Sequence, residues 1–413
     1  MRAILIYFFG FSIPFYKFGV QLIDQIYISI PLVFFYSFVI YFLMSGRYSK
    51  KIFFFIITLN FYIFLTTLAR VPIFEFLFAF FAFFIATVAL AIDFEKNPSL
   101  YRYFIKGFIG SAWVTVILVL FYCISIHILD DSQKYLLEPL GYKIGSGVFF
   151  GYYRPTIFFL EPAHLSLYLI CVYAGTSFVV NNTYQNTILN KLSFLAVILT
   201  GSLAGIIILT VFILAKKKSW QKNLLIISIL ITAFSVLYFF YQDSEIFLRI
   251  YRAMTTFSNH NYGSSEGQRI GSMRIIYDII MDGNYVVILF GTGFSDYTNY
   301  LGYLYADSIT GSAFKYGKIA NSIILHFVSV GMIGMIFTIY VFNLIFRANH
   351  IPREYLAIII LIMLSYGTYI NYLLWALVII LLKINLASIS KYLSSSLHNP
   401  NIQKSLYKLN INE

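Results

Sequence analysis

RPTIFFLEPAHLSLY, residues 154–168, sits where a polar stretch gives way to an apolar run. Pro162 lacks an N–H and has a fixed φ, so it fits the first turn of a helix with Glu161 at or near the cap. The run that follows, Leu165 to Val180, is almost wholly apolar. With the residues before it, it is long enough to cross a bilayer of about 30 Å. The stretch thus sets Arg154, Glu161 and His164 at the mouth of a membrane helix. Ionisable groups are costly to desolvate there, which makes them a functional-site hypothesis. The competing reading is that Arg154 and Glu161 only snorkel to the headgroups and cap the helix.

The rest of the chain agrees with a membrane setting. Of 413 residues, 60% are hydrophobic and 11% charged. Apolar runs of about 20 residues recur, and they are continuous rather than alternating, which selects a helical bundle over a barrel. Aromatic residues make up 20%, with many tyrosines near the ends of apolar runs, as interfacial belts require. The net charge of +12 resembles a nucleic-acid signal, but most of it lies in short clusters between apolar runs. The positive-inside rule explains such clusters, so no nucleic-acid partner is expected. Cys123 and Cys171 both lie inside apolar runs, which leaves no disulfide framework and no thiolate metal site. The segment MRAILIYFFGFSIPFYKFG has no small-residue cleavage site and reads as a retained first span.

The expected spans are 3–20, 26–44, 52–68, 72–92, 104–128, 156–180, 223–241, 319–346, 353–369 and 371–389. Arg47, Lys50 and Lys51 mark a cytoplasmic loop, as do Lys96, Arg102 and Lys106 two spans later. Lys216, Lys217, Lys218 and Lys222 form the densest basic cluster and belong inside too. A single crossing over 189–215 would put them outside. The break Gly201-Ser202-Leu203-Ala204-Gly205 resolves the conflict as two short helices that enter and return. Broken backbone of this kind is tolerated where it lines protein or a wet cavity. The expected architecture is one all-α, polytopic membrane domain over residues 1–413 with about 10–12 crossings. It carries a large external loop at 242–318 and a polar cytoplasmic tail at 390–413.

Within that loop, Arg249 and Arg252 are spaced to share a helix face, whereas Arg269 and Arg274 would diverge on a regular helix. Guanidinium forks bind phosphate bidentately and stay charged, so the cluster suits a pyrophosphate; a solvated, salt-bridged face is the alternative. Gly291-Thr292-Gly293 follows an apolar, strand-like run and reads as a tight turn that returns the loop to the membrane surface. His164 and His326 could serve as general bases or as hydrogen-bonded packing residues. No HExxH or calcium loop stands in the external segments, and Asp243 and Glu245 read as a solvated boundary. No metal and no cofactor is expected.

Taken together, these features resemble the O-antigen polymerases (Wzy), within the O-antigen ligase and polymerase superfamily. The resemblance rests on Arg154 with Glu161-Pro162 opening a span, the Gly201–Gly205 break and the arginine-bearing loop closed by GTGF. Asn321 followed by VGMIG completes it. It spans roughly residues 50–390 as scattered short motifs. It implies a GT-C-like, metal-independent glycosyltransferase of the bacterial inner membrane, with its active site facing the periplasm. Such an enzyme moves the growing glycan from one undecaprenyl pyrophosphate carrier to a sugar hydroxyl of the next lipid-linked repeat unit. Lipid-linked oligosaccharides and membrane lipid would be its partners, together with a chain-length regulator protein. Arg154, Arg249, Arg252, Arg269, Arg274 and Asn321 would hold the pyrophosphates. Glu161 or His164 would be the base or orient it.

Three other readings stand beside this one, among them a structural partner subunit without activity. A ligase of the same superfamily tends to carry a histidine before the late asparagine, where this chain has Ala320. A lipid-linked oligosaccharide flippase would line a central cavity with intramembrane charges, and these spans hold few.

Overall fold

The computed structural model describes residues 2–15, 18–23, 26–70, 73–93, 98–129, 133–140, 148–149, 152–159, 161–179, 184–216, 275–293, 321–348, 353–365 and 372–383. Helices dominate them. The first are α1 (Arg2–Ser12), α2 (Ile30–Met44), α3 (Lys50–Leu68), α4 (Ile73–Val88) and α5 (Pro98–Ile128). Next come α6 (Pro162–Val179), α7 (Tyr184–Leu199), α8 (Leu203–Lys216), α9 (275–282) and α10 (Tyr285–Phe290). The last are α11 (Ser322–Ala348), α12 (Arg353–Ser365) and α13 (Tyr372–Lys383). Two short antiparallel hairpins depart from the purely helical expectation: β1 (Gly19–Ile23) with β2 (Ile26–Ser29), and β3 (Val148–Phe149) with β4 (Tyr152–Tyr153).

Among the described residues, three apolar stretches are long enough, by length and composition, to cross a membrane: the helices Lys50–Leu68 and Leu100–Ile128, and the run Ser322–Arg347, which is broken inside. The first of them is apolar on both faces. Ile52, Ile56, Leu59 and Ile63 of α3 face the core, whereas Phe54, Phe61 and Leu65 are equally apolar and exposed. Water would not favour that outer face; hydrocarbon does. The predicted first span ends early, at Ser12, because Pro14 cannot continue the helix and the chain turns into β1. The predicted sixth span starts late, at Pro162 rather than 156.

The two ends of the bundle are distinguishable. At one, the guanidinium carbons of Arg2 and Arg47 lie 5.9 and 6.0 Å from the Tyr41 ring centroid, and Arg47 donates to the Tyr41 hydroxyl at 2.9 Å. The backbone of Ser49 bonds Ala91, and Asp93 bonds Arg47, so the α2–α3 and α4–α5 connections meet there. At the other end, Phe15 and Phe18 pack on Phe158 at centroid distances of 4.6 and 5.4 Å. Between the ends, α1 and α5 cross backbone to backbone at Gly10 and Gly107, where added Cβ atoms would strike the carbonyls of Phe104 and Tyr7. Small residues permit such close crossings where no water drives helices together.

Two helix breaks shape the interior. The first is the expected one: Gly201 takes φ +59° between α7 and α8. Asn190 of α7 donates to the carbonyl of Tyr173 at 2.8 Å and to the Thr176 hydroxyl at 3.0 Å, low on α6. The end of α7 reaches Arg154, beyond the start of α6, so the two helices run antiparallel. α8 then runs parallel to α6, with Gly205 against Ser166 and Phe212 against Tyr173. The chain therefore reverses at Gly201, and Lys216 returns to the end from which α7 set out.

The second break corrects the reading of 319–346 as one straight span. Gly331 inside α11 has φ +69° and ψ −173°, which is not helical. His326 Nε2 and Thr338 Oγ1, on either side of it, lie 2.8 Å apart. On a continuous helix those positions would be separated by about 18 Å. α11 is thus two arms, 322–330 and 332–348, folded sharply against one another. Only glycine takes this backbone conformation readily.

Candidate functional site

The short ladder of β3 and β4 delivers the chain to Arg154, with Val148 opposite Tyr153 and Phe149 opposite Tyr152. Beyond it Pro155, Thr156 and Ile157 are buried. The N–H groups of Thr156 and Ile157 both bond the carbonyl of Leu140, at 3.3 and 2.8 Å. A tight turn follows, with Phe159 N–H on the Thr156 carbonyl at 2.8 Å. Within it Ile157 has φ +49°, the lone non-glycine at positive φ among the described residues. A β-branched residue there is strained, at a cost of about 1–2 kcal/mol. Its neighbours hold it in place: Phe158 packs on Phe15 and Phe18, and Phe159 on Tyr168. Tyr168 is itself fixed by a 2.8 Å hydrogen bond to Ser111 of α5. Nothing in the sequence marked Ile157; strain of this kind concentrates at functional sites.

Arg154 is partly buried, and its Nη1 donates to the Gly201 carbonyl at 3.5 Å, a long bond. Two features read separately in the sequence are thereby joined: the arginine before α6 and the glycine break of α7–α8. The break is built from local bonds. Gly201 N–H bonds the Ile198 carbonyl, and Ser202 N–H bonds the Thr200 hydroxyl. Ser202 Oγ accepts from Gly205 N–H at 3.3 Å and caps α8. The absence of a side chain at Gly205 brings α8 close to α6, since a Cβ there would come within 2.5 Å of Ser166 Oγ.

Glu161 occupies the cap of α6, as expected. Its carbonyl accepts the first helical bond, from Leu165 N–H at 3.3 Å, and Pro162 stands at the first helical position. Its side chain is exposed, whereas His164, one turn along on the same side, is partly buried. The exposed carboxylate and the partly buried imidazole thus stand on the first turn of the helix whose Ser166 meets Gly205.

Asn321 stands elsewhere. It is buried, and its Oδ1 accepts from the N–H groups of Ile323 and Ile324 at 3.1 and 3.2 Å, which caps the first arm of α11. That arm is bonded by Tyr62 of α3 and by the Thr292–Gly293 turn, and its His326 ring packs near Phe83 of α4. Arg249, Arg252, Arg269 and Arg274 lie outside the described residues, as do the predicted span 223–241 and the tail 390–413.

The second break has its own clasp. Thr292 N–H bonds the Val328 carbonyl at 2.8 Å, Gly293 N–H the Ser329 carbonyl at 2.9 Å, and Tyr62 Oη the Val330 carbonyl at 3.2 Å. The carbonyls orphaned at the end of the first arm are satisfied in this way. Arg70, just past α3, donates to the carbonyls of Gly291 and Val286 and pins the turn. The run before it is the helix α10, not the strand expected. Between the second arm and α12 lies a cavity of about 670 Å³, lined by Ile336, Ile339, Phe346 and Ile360, with His326 and Asn343 as polar members. Among the described residues no three histidine, cysteine or acidic side chains come together as a metal site requires.

No protein-family model matches the sequence, and no curated protein matches it either.

Proposed function

We propose that this chain is a polysaccharide repeat-unit polymerase of the O-antigen polymerase type, embedded in a bacterial inner membrane. The observation that carries the reading is the meeting of Arg154 with the Gly201 break at the mouth of α6, where Glu161 and His164 also stand. The basic end of the bundle, with Arg2, Arg47, Lys50 and Lys216, is taken as cytoplasmic; the Arg154 end then faces the periplasm. The external loop is 242–318, with Arg249, Arg252, Arg269 and Arg274 contributing to the same anionic site.

In this reading a sugar hydroxyl of the acceptor repeat unit attacks the anomeric carbon of the donor glycan. The anomeric C–O bond to the carrier pyrophosphate breaks, and the leaving group departs with its charge held by guanidinium groups. Glu161 or His164 takes the proton from the attacking hydroxyl. The strained turn at Ile157 fixes Arg154 beforehand, and preorganised charge of that kind costs nothing to reorient during reaction. The 670 Å³ apolar cavity is of a size and character to hold a length of polyprenyl chain.

A gel of surface glycan from a deletion strain tests the reading, in a host that attaches the glycan to lipid A–core. Complementation is with wild type, Glu161→Gln and Arg154→Ala. Core carrying a single repeat unit in the deletion strain, and in both variants at normal protein level, is the expected result. Bare core with lipid-linked polymer accumulating would identify a ligase. Bare core with single units trapped in the cytoplasmic leaflet would identify a flippase, and an unchanged ladder would sink all three.

A further inference from the structure

The helices α9 and α10 present an apolar surface that the catalytic reading leaves unused. In α9, Ile275 and Ile279 are buried, as in any helix packed on a core. At 100° per residue, Tyr277, Ile280 and Met281 fall on the opposite face, and they are 52–67% exposed. Asp278 lies on a flank between the two faces, and Asp282 is exposed at the end of the helix. In α10, Val287 is buried, while Tyr285, Val286, Leu289 and Phe290 are exposed, Tyr285 and Leu289 on the side opposite Val287. A helix pair washed by water would place polar residues where these seven large apolar side chains stand. Their combined exposed area is on the order of 600 Å², the upper limit of apolar patches on soluble monomers.

The position of the pair identifies what covers this surface. Asn284 caps α10 through a 3.2 Å bond to Val287 N–H, and Arg70 and the Gly291–Gly293 turn tie α10 to the bundle just past the end of α3. Exposed side chains on the elements that hold α10 are apolar as well: Leu65 and Leu68 on α3, and Met332 and Ile333 beside Gly331. The α9–α10 surface therefore continues the hydrocarbon-facing belt around the rim of the bundle. Residues 275–293 contain no lysine or arginine, so attraction to anionic headgroups plays no part. We infer that α9 and α10 form an interfacial element whose exposed face is sunk into the outer boundary of the bilayer. Lipid is the occupant; neither a protein partner nor a second copy of the chain is required. The inference is independent of the chemistry proposed above.

Single cysteines at Met281 and Tyr285, both on the exposed face, allow a direct test. The native Cys123 and Cys171 are buried and serve as the unlabelled background. Each full-length variant is labelled with an environment-sensitive fluorophore and reconstituted into phosphatidylethanolamine–phosphatidylglycerol vesicles. Nitroxide groups high on the acyl chains should quench both labels at least threefold more than aqueous iodide, with blue-shifted emission. Quenching dominated by iodide at both positions would overturn the inference. So would labels shielded from both quenchers and equally shielded in lipid-free amphipol, since a protein surface would then be the cover. Labelling two strongly exposed positions, Met281→Cys and Tyr285→Cys, keeps the test independent of any one variant's folding.

Discussion

His326 and Thr338, twelve positions apart in one apolar run, meet side chain to side chain at 2.8 Å because Gly331 folds the run back on itself. A Cβ at Gly331 would strike the backbone of Leu289 and Gly291, and φ +69° is unfavourable for any residue that carries one. Gly331→Ala should therefore lower stability by about 2 kcal/mol or more, from backbone strain and steric conflict together. Thr338→Val keeps the shape and removes the hydroxyl, and should cost about 1 kcal/mol. Thermal unfolding of the purified chain in detergent would rank the two. Equal and negligible shifts would mean that the arms do not meet.

Arg70 should behave as a clasp. Without its guanidinium the carbonyls of Gly291 and Val286 lose their donor, and the turn that caps the Val328 and Ser329 carbonyls loosens. Arg70→Ala is expected to speed amide exchange at Thr292 and Gly293 by about tenfold or more, a local opening eased by about 1.4 kcal/mol. Exchange along α6 should not change. Mass-spectrometric hydrogen exchange reads both regions at once, and uniform acceleration over the whole chain would contradict a local role.

Much of this architecture was legible from residue order. Length and hydropathy located the apolar helices, Pro162 set the start of α6, and the glycine break against four lysines predicted the reversal at Gly201. The reversal at Gly331 was not legible. Ser322–Ala348 is predominantly apolar, and the glycines Gly331 and Gly334 inside such a run are compatible with a straight helix; contacts with Tyr62, Thr292 and Gly293 decide the matter. The early end of α1 was missed because Phe15, Phe18 and Val20 are as apolar as the helix they follow. For the candidate site, the chemistry of a helix mouth singled out Arg154, Glu161 and His164, and the structure brings Arg154 to the Gly201 carbonyl. Ile157 was invisible because a strained φ leaves no trace in residue type. Asn321 carried a signal with two meanings, and its Oδ1 is used for capping.

The direction of the bundle can be mapped chemically. Cys123 and Cys171 are buried, so the native chain should resist a membrane-impermeant maleimide applied to either side. Ser45→Cys, next to Arg47, should react only from the cytoplasmic side, whereas Glu161→Cys should react only from the periplasmic side. Labelling of both positions from one side would overturn the assignment of ends.

Gly205 and Ser166 offer a test of the contact that shapes the mouth of α6. A methyl group at Gly205 would come within 2.5 Å of Ser166 Oγ and 2.6 Å of its Cβ, closer than real side chains approach. Gly205→Ala alone gains helix propensity of about 1 kcal/mol, so a simple propensity argument predicts stabilisation. Steric conflict between α8 and α6 predicts the opposite, a net loss of about 1–3 kcal/mol, because overpacking moves backbone. Ser166→Gly removes both clashing atoms. The double variant should therefore recover most of the loss caused by Gly205→Ala, with an interaction energy of about 1 kcal/mol or more in a thermodynamic cycle. On the proposed function the same cycle should appear in glycan polymerisation, because the gap between α6 and α8 sets the position of Gly201 beside Arg154. Additive effects of the two substitutions, on stability and on polymer length alike, would show that the helices do not touch where the geometry places them.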